Sequence, residues 1–293
     1  MELLFTVLIM LGPWSLESSP DKYTLRFQPK TGEQVAWMID MDMDMVMKPA
    51  GMDMTMDIDM DMGIGMHLEV LESGENDLVR MGTTVDSMRM DMSGMPGMDV
   101  QFNSNASASD AAGQAMQESL GPLLGTTIVS QVDAFGEVQS MEGYEELLEQ
   151  MGGGGGMGGM SSNPFENFQS YLAVYPKNKL KIGDSWEHST LVSSNGAPME
   201  MANTYTLQSV ENGQANIGVV STVRMDEVEM EQSGMAMSMS MTGTQSGIMV
   251  VRVSDGMTLS ADMEQNFVMD METMGMSMPA TIKGHYTLLS INR

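Results

Sequence analysis

The chain has 293 residues, enough for one large domain or two of ordinary size, and its hydrophobic fraction of 42% excludes a disordered acidic tail. Its 40 acidic residues against 13 basic ones give a formal net charge of −27, which repels phosphate backbones, so we expect no nucleic-acid partner. The absence of cysteine from the sequence excludes disulfides, thiolate metal sites and cysteine nucleophiles.

The N-terminus carries an apolar run that is typical of a signal peptide. The run covers residues 3–11 and ends at Gly12-Pro13. It is too short to span a bilayer, since a transmembrane helix needs ~20 apolar residues. Glu2 stands where a signal peptide normally has basic residues, and no Ala-x-Ala cleavage site follows. We predict a signal peptide over residues 1–19, a secreted or periplasmic protein and no transmembrane span; a buried N-terminal strand or a misassigned start is the alternative.

Similar features recur in the same order in the two halves of the chain. A lysine–glycine–acid–tryptophan pattern occupies residues 30–37 and 181–186, and a turn between two strand-like runs follows at 71–76 and 210–214. The second turn contains Asn-Gly, a dipeptide that is typical of tight hairpins because both residues tolerate positive φ. This order predicts a mostly β fold made of two tandem similar halves.

The predicted halves cover residues 20–150 and 163–293, and a linker rich in glycine and methionine joins them at 151–162. We expect each half to be a curved, half-barrel-like antiparallel sheet with short helices across its open side.

Helical sequence is scarce. Helices are predicted at 111–124, at 142–151 and from 163 to about 172. The third prediction rests on an Asn-Pro-x-Glu start, in which Asn caps the helix and Pro occupies its first position.

The 40 methionines alternate with polar residues in several runs, beginning at 41–47 and 52–62. A period of two predicts strands whose methionines share one face. Ile58 and Ile64 continue the same phase, which indicates that this face is apolar. The expected ligand-groove residues are Met41, Met43, Met45, Met54, Met56, Met60, Met62, Met237 and Met239.

Two functions fit a face of methionines. Methionine is flexible and polarisable, so a methionine-lined sheet can pack around varied apolar ligands. Thioether sulfurs also bind soft cations such as Cu(I) or Ag(I). The isoleucines in phase favour packing over ligation, so we expect no cofactor, with Cu(I) as the metal alternative. The candidate metal ligands are Met66, His67, Met235, Met237, Met239 and Met241.

Aspartates alternate with the methionines at 40–44 and 53–61 and should share the opposite face. Like charges that face each other destabilise a sheet, and a hard cation such as Ca²⁺ would relieve the repulsion. No EF-hand or nonapeptide pattern is present, so we predict a solvated acidic face.

No catalytic motif is present in the sequence. The three histidines form no zinc-binding pair, there is no Gly-x-Ser-x-Gly elbow, and no Lys-Ser or Lys-Thr follows the glycine-rich stretch. We therefore do not expect an enzyme. Trp37 and Trp186 are predicted to be core anchors in equivalent positions of the two halves.

Several spaced segments of the second half carry a family resemblance: residues 181–186, 203–207, 243–247, 256–257 and 263–266. They resemble a family of secreted, mostly bacterial β-rich proteins of unknown function, and the first half resembles the family's N-terminal part. The resemblance implies an exported protein of the bacterial cell envelope with no known catalytic residue. This chain departs from the family in its heavier load of methionine and aspartate.

The leading hypothesis is an exported binding protein for an apolar or amphipathic ligand, such as a lipid, held on a methionine-lined sheet face. Soft-metal sequestration by Met-x-Met arrays is the second hypothesis, and a structural envelope protein without a small ligand is the third. The ligand and the oligomeric state are left open.

Overall fold

The computed structural model describes residues 22–51, 54–75, 77–94, 99–108, 111–150, 165, 168–194, 197–232, 235–273 and 275–291. These residues form β1 (Gln34–Met47), β2 (Met56–Glu75), β3 (Leu78–Ser93), β4 (Val100–Asn103), α1 (Ala111–Leu120), β5 (Thr127–Asp133), β6 (Val138–Glu142), α2 (Tyr144–Gln150), β7 (Ser185–Ser194), β8 (Ala197–Glu211), β9 (Gln214–Gln232), β10 (Met235–Arg252), β11 (Thr258–Thr273) and β12 (Met276–Ile291). The predicted signal peptide and the glycine-rich linker lie outside the described residues.

All the strands belong to one open antiparallel sheet. Its order is β6-β5-β3-β2-β1-β12-β11-β10-β9-β8-β7, and β4 pairs with β3 on the side. The mostly β prediction is confirmed, but the two separate half-barrel-like sheets are not found. The first strand of the chain pairs along most of its length with the last, from Ala36 opposite Ile291 to Met47 opposite Ala280. The two predicted halves therefore meet edge to edge in a single sheet.

The turns that precede β1 and β7 are similar. Gly32 and Gly183 both adopt positive φ, of 81° and 92°. Each donates its N–H to a carbonyl of the strand that pairs with the one it precedes, Val70 of β2 or Leu207 of β8. The tryptophans, however, are not equivalent, because Trp37 is the fourth residue after the turn acid at position 33 and Trp186 is the second after the acid at 184.

The alternation of apolar and polar residues gives the sheet two different faces. In β1 the residues Val35, Trp37, Ile39, Met45 and Met47 are buried. We call the face that carries them the inner face and the opposite one the outer face. Because a strand alternates its side chains, the aspartates between these residues lie on the outer face in water.

The helices are short and match the predictions in part. The predicted helix at 111–124 ends earlier, at Leu120. A 3₁₀ turn that contains Pro122 follows it, Gly121–Leu123. In the third predicted helix the described residues form only a 3₁₀ turn, Phe168–Tyr171. Among the described residues, no helix is long and apolar enough to cross a membrane.

An apolar segment, residues 168–180, crosses the inner face between the two edges of the sheet. Val138 of β6 donates its N–H to Gln169 Oε1 at 2.6 Å, and Trp186 of β7 donates its indole N–H to the Val174 carbonyl at 2.7 Å. Phe168 and Tyr171 of this segment pack against Trp37, with 6.3 and 6.5 Å between ring centroids. We call residues 168–180 the strap.

Candidate functional site

The inward methionines of β1, β2 and β3 are neighbours across the strands. Their register forms two rows, Met41–Met62–Met90 and Met43–Met60–Met92, which we call the methionine rows. Residues opposite each other in an antiparallel pair have their Cβ atoms ~4.5–5.5 Å apart, so these thioethers pack directly on one another. β4 extends the rows, with Phe102 opposite Met90 and Val100 opposite Met92.

The inner face has a second group of methionines on the other side of β1. Met271 of β11 lies opposite Met239 of β10 and Met278 of β12. Met241 lies opposite Met225 and Met269. Strand β1 therefore lies between two methionine-rich regions that belong to distant parts of the sequence, with Met47 opposite Ala280, which in turn lies opposite Met269.

Part of this apolar surface remains accessible. Its partly buried members point to the inner face and pack against the core: Met41, Met43, Met56, Met201, Met237, Met241, Phe267 and Met278. Most of them lie on β2, β1, β12, β11 and β10, which are consecutive strands of the sheet. We call this surface the inner groove.

The predicted groove residues mostly lie where the alternation places them. Met45, Met60, Met62 and Met239 are buried on the inner face. Met54 differs, because it precedes the first residue of β2 and its side chain is 45% exposed. The period of two ends at the turn between β1 and β2, so Met54 does not join the groove.

A cluster of polar side chains interrupts the apolar inner face on β8, β9 and β10. Asn203, Ser221 and Gln245 are 6%, 1% and 4% exposed. They are neighbours in one row, which continues through Gln265 and Gly284 to Met43 and the second methionine row. The strap lies over this cluster with Gln169 and Ser170, and a small cavity of about 20 Å³ separates them.

Hydrogen bonds hold these polar groups in place. Ser221 Oγ donates to Asn203 Oδ1 at 2.5 Å, and Gln245 Nε2 donates to the Tyr286 hydroxyl at 3.1 Å. Burial raises the pKa of Tyr286 to about 12, so its hydroxyl stays protonated and keeps a proton to donate. Burial raises the pKa of Tyr205, which also lines the cavity, further.

The predicted soft-metal ligands do not converge at residue 66. Met66 is buried on the inner face, whereas His67 points to the outer face and its Nδ1 lies 2.7 Å from Asp86 Oδ1. Adjacent residues of a strand point to opposite faces, so the two cannot share one ion. Met237, Met239 and Met241 lie on the inner face; the side chain of Met235 lies outside the described part of the structure.

No group of three or more His, Asp or Glu side chains within the described ranges could hold a metal ion.

The two tryptophans lie in different surroundings. Trp37 is 1% exposed and donates its indole N–H to the Thr258 carbonyl at 3.3 Å. Trp186 is half-buried and stacks on Tyr205 with 5.4 Å between ring centroids. Trp37 is a core anchor, and Trp186 instead holds the strap against the edge of the sheet.

Sequence reasoning missed both the polar cluster and the contribution of β3. Met88, Met90 and Met92 alternate with charged residues, as the predicted groove methionines of β1 and β2 do, so the same alternation could have identified them. Asn203 and Ser221 stand in phase with the apolar inward residues of their strands. A polar residue in an apolar phase is the pattern that identifies such a cluster.

The outer face carries a row of carboxylates at the same level of the sheet. Asp42 pairs with Asp61, which pairs with Asp91. A hydrogen bond with Asp61 raises the pKa of Asp42, and desolvation and the negative charge of Asp61 add to this effect, while His285 and Arg89 oppose it. Arg89 is itself paired with Asp40 at 2.7 Å.

Comparison with known proteins adds one family match. No curated protein matches the chain. Among solved structures, an outer membrane channel from Pseudomonas putida is 7% identical, with a TM-score of 0.23, 96% of this chain and 100% of that chain being covered. OccK7 (OpdD) from Pseudomonas aeruginosa is 6% identical, with a TM-score of 0.20, 89% of this chain and 100% of that chain being covered. Neither similarity is large enough to support an argument. Residues 162–258 match a domain described as "Family of unknown function (DUF6263)".

Proposed function

We propose that the protein is an exported binding protein that holds an apolar or amphipathic ligand, such as a lipid, in its inner groove. The observation that carries the proposal is the set of inward methionines, Met43 among them, that remains partly accessible on neighbouring strands of the sheet. A face that served only as a core would bury these side chains completely, as it buries Met45 and Ile64.

The choice of methionine supports an adaptable site. Valine and isoleucine are the preferred strand residues, and methionine is not. Its unbranched side chain changes rotamer easily and fills irregular space, so a methionine-lined groove accepts ligands of different shapes.

Soft-metal binding is a second candidate, and the two methionine rows support it. They bring thioethers of three adjacent strands together, as Met41–Met62–Met90 and Met43–Met60–Met92. Thioether ligands select Cu(I) over harder cations. Close packing of the rows, with Met60 and Met62 each 7% exposed, favours their role as an apolar wall.

Native mass spectrometry of the protein purified from its host separates these candidates. A bound lipid supports the apolar site, bound copper supports the second candidate, and neither supports a structural role in the envelope.

Binding of N-phenyl-1-naphthylamine, a neutral apolar fluorescent probe, tests the groove directly. We expect Met43→Gln to weaken probe binding, because the amide places a polar group in the middle of the groove. The matched control is Met38→Gln, since Met38 belongs to the same strand and lies on the outer face, 38% exposed. Equal binding by the two variants would count against the proposed site.

We also propose that the protein is secreted or periplasmic in a bacterial cell envelope. The apolar run at 3–11 supports this proposal. Expression of the full chain in a bacterium, followed by cell fractionation and N-terminal sequencing, tests it. Recovery of the unprocessed chain from the cytoplasm would contradict it.

A further inference from the structure

The polar cluster beneath the strap has hydrogen-bonding capacity that the protein does not use. The side-chain carbonyl of Asn203 accepts a hydrogen bond from Ser221. Its amide N–H groups have no acceptor among the described residues. The side-chain amide N–H of Gln245 donates to the Tyr286 hydroxyl. The side-chain carbonyl of Gln245 has no donor within the same described part of the chain. Both side chains are more than nine-tenths buried, and both line the cavity.

These two amide groups reach the cavity and are not sealed in the core, because the fully buried side-chain atoms without a partner among the described residues are Thr83 Oγ1, Ser130 Oγ and His188 Nε2. They would need a new partner once a ligand covered the cavity. A buried polar group left unsatisfied costs about 1–3 kcal/mol, so native proteins normally pair it with protein, water or ligand atoms. A cavity of about 20 Å³ holds one water molecule or one oxygen-bearing group of a ligand.

The cavity selects the kind of group that enters it. Its lining consists of neutral polar residues and apolar residues, with no charged side chain. A carboxylate or phosphate there would lose its hydration without gaining a counter-charge, whereas a carbonyl or hydroxyl oxygen would be satisfied by amide and phenol groups.

The cavity also opens onto methionine. Met201, Met249 and Met263 line it beside the amides. Tyr286, which closes another side, lies opposite Met41 of the first methionine row. Between the cavity and Met43 the same row of the inner face carries Gln265 and Gly284, over which the hydrocarbon chain of a ligand would pass to reach the inner groove.

We propose that the Asn203–Ser221–Gln245 cluster binds the neutral carbonyl or hydroxyl oxygen of an amphipathic ligand whose hydrocarbon chain lies on the methionine rows. This inference rests on the proposed function, because the groove must first accept the chain. The protein thus discriminates neutral polar lipids, such as fatty alcohols and esters, from fatty-acid carboxylates and from plain alkanes.

The test is competition against N-phenyl-1-naphthylamine by four ligands of equal chain length: dodecane, 1-dodecanol, methyl dodecanoate and dodecanoate at pH 8. On the unmodified full chain we expect the alcohol and the ester to bind about three- to tenfold more tightly than the alkane, which is the range of one net hydrogen bond. Dodecanoate should bind more weakly than the ester.

Two variants assign the effect to the cluster. Gln245→Met keeps the size of the side chain and removes its amide, so the preference for the alcohol and ester should fall while alkane binding stays the same. Gln265→Met is the matched control, since Gln265 occupies the same row on the inner face but does not line the cavity. It should keep the preference.

The outcomes separate the inference from the proposed function. If the probe and the alkane bind but the alcohol and ester gain nothing, the cavity holds only water and the inference is wrong while the groove stands. Tightest binding of dodecanoate would also overturn it. If neither the probe nor any of the four ligands binds, the proposed function itself fails and the inference falls with it.

Discussion

The inner and outer faces of β1, β2 and β3 carry two parallel rows of side chains, one apolar and one negatively charged. On the inner face the row is Met41–Met62–Met90, and the outer face carries Asp42–Asp61–Asp91, each aspartate adjacent in sequence to the methionine of its strand. The same register that stacks thioethers on one side stacks carboxylates on the other.

The difference shows which face stabilises the sheet. Each buried methionine contributes about 1.5–3 kcal/mol of apolar burial. Like charges directly opposite each other are destabilising by amounts of up to about 1 kcal/mol per pair. Methionine burial on the inner face therefore contributes more to stability than the opposed carboxylates of the outer face remove. The acidic outer face lowers the net stability and increases solubility. The comparison can be tested by exchanging the properties of each face in turn.

The largest expected effect is the loss of the fold when the methionines of β1 become polar. Met45 and Met47 are 3% and 6% exposed, so each Gln that replaces them buries an amide without a partner at a cost of about 1–3 kcal/mol. With Met41 and Met43 also replaced, the sum approaches the whole stability of an ordinary domain, ~5–15 kcal/mol. Circular dichroism should show an unfolded or strongly destabilised protein.

The matched control is the same block of four positions changed to Leu. Leucine and methionine have similar volumes, and such exchanges usually cost less than ~1.5 kcal/mol each. The fold should persist with a lower melting temperature, and binding of the apolar probe should survive in part. Tight, stoichiometric Cu(I) binding in the unmodified protein that the Leu block abolishes would show that the rows are a metal site instead.

The two faces could be predicted from sequence because alternation is a local property. Met41 and Asp42 differ in phase, and one residue of phase determines the face. The pairing of β1 with β12 could not be predicted, because nothing in the residues of either strand specifies its partner across more than 200 positions of chain. The repeated Lys-x-Gly-acid turns suggested two separate half-barrel-like sheets, whereas both turns begin antiparallel strand pairs of one sheet.

The candidate site could be predicted less well for a related reason. The apolar wall follows from the methionine pattern, and Met54 was misplaced because the pattern does not indicate where a strand begins. The polar cluster depends on the register of β8, β9 and β10, which brings Asn203, Ser221 and Gln245 into one row. Single polar residues in apolar strands gain meaning only once that register is known.

A smaller effect is expected on the outer face from Asp42→Asn. The raised pKa of Asp42 means that the folded chain holds its proton more tightly than the unfolded chain does. As the pH rises from the unfolded value of 3.8 through the raised folded value, ionisation therefore lowers stability, and the loss persists at neutral pH. The Asn variant should melt at a higher temperature than the unmodified protein at pH 7.

The melting temperature of the Asn variant should also depend less on pH between 4 and 7. Asp270→Asn is the matched control, because Asp270 is exposed on the same face and lies opposite Ser240 and Pro279 rather than a carboxylate. If both variants shift the melting temperature equally, the effect is one of net charge and not of the Asp42–Asp61 contact.

The smallest effect concerns salt. A net charge of −27 repels itself on a compact molecule, and the Debye length shortens from ~30 Å at 0.01 M to ~10 Å at 0.1 M, so screening should stabilise the fold. The melting temperature should rise along a sodium chloride series and rise less in Asp42→Asn, where one opposed pair has gone. Calcium at matched ionic strength separates screening from binding, since screening alone predicts the same curve for both salts. A melting temperature that stays flat or falls with sodium chloride would mean that the outer carboxylates are already compensated, and the proposed contrast between the two faces would then rest on the methionines alone.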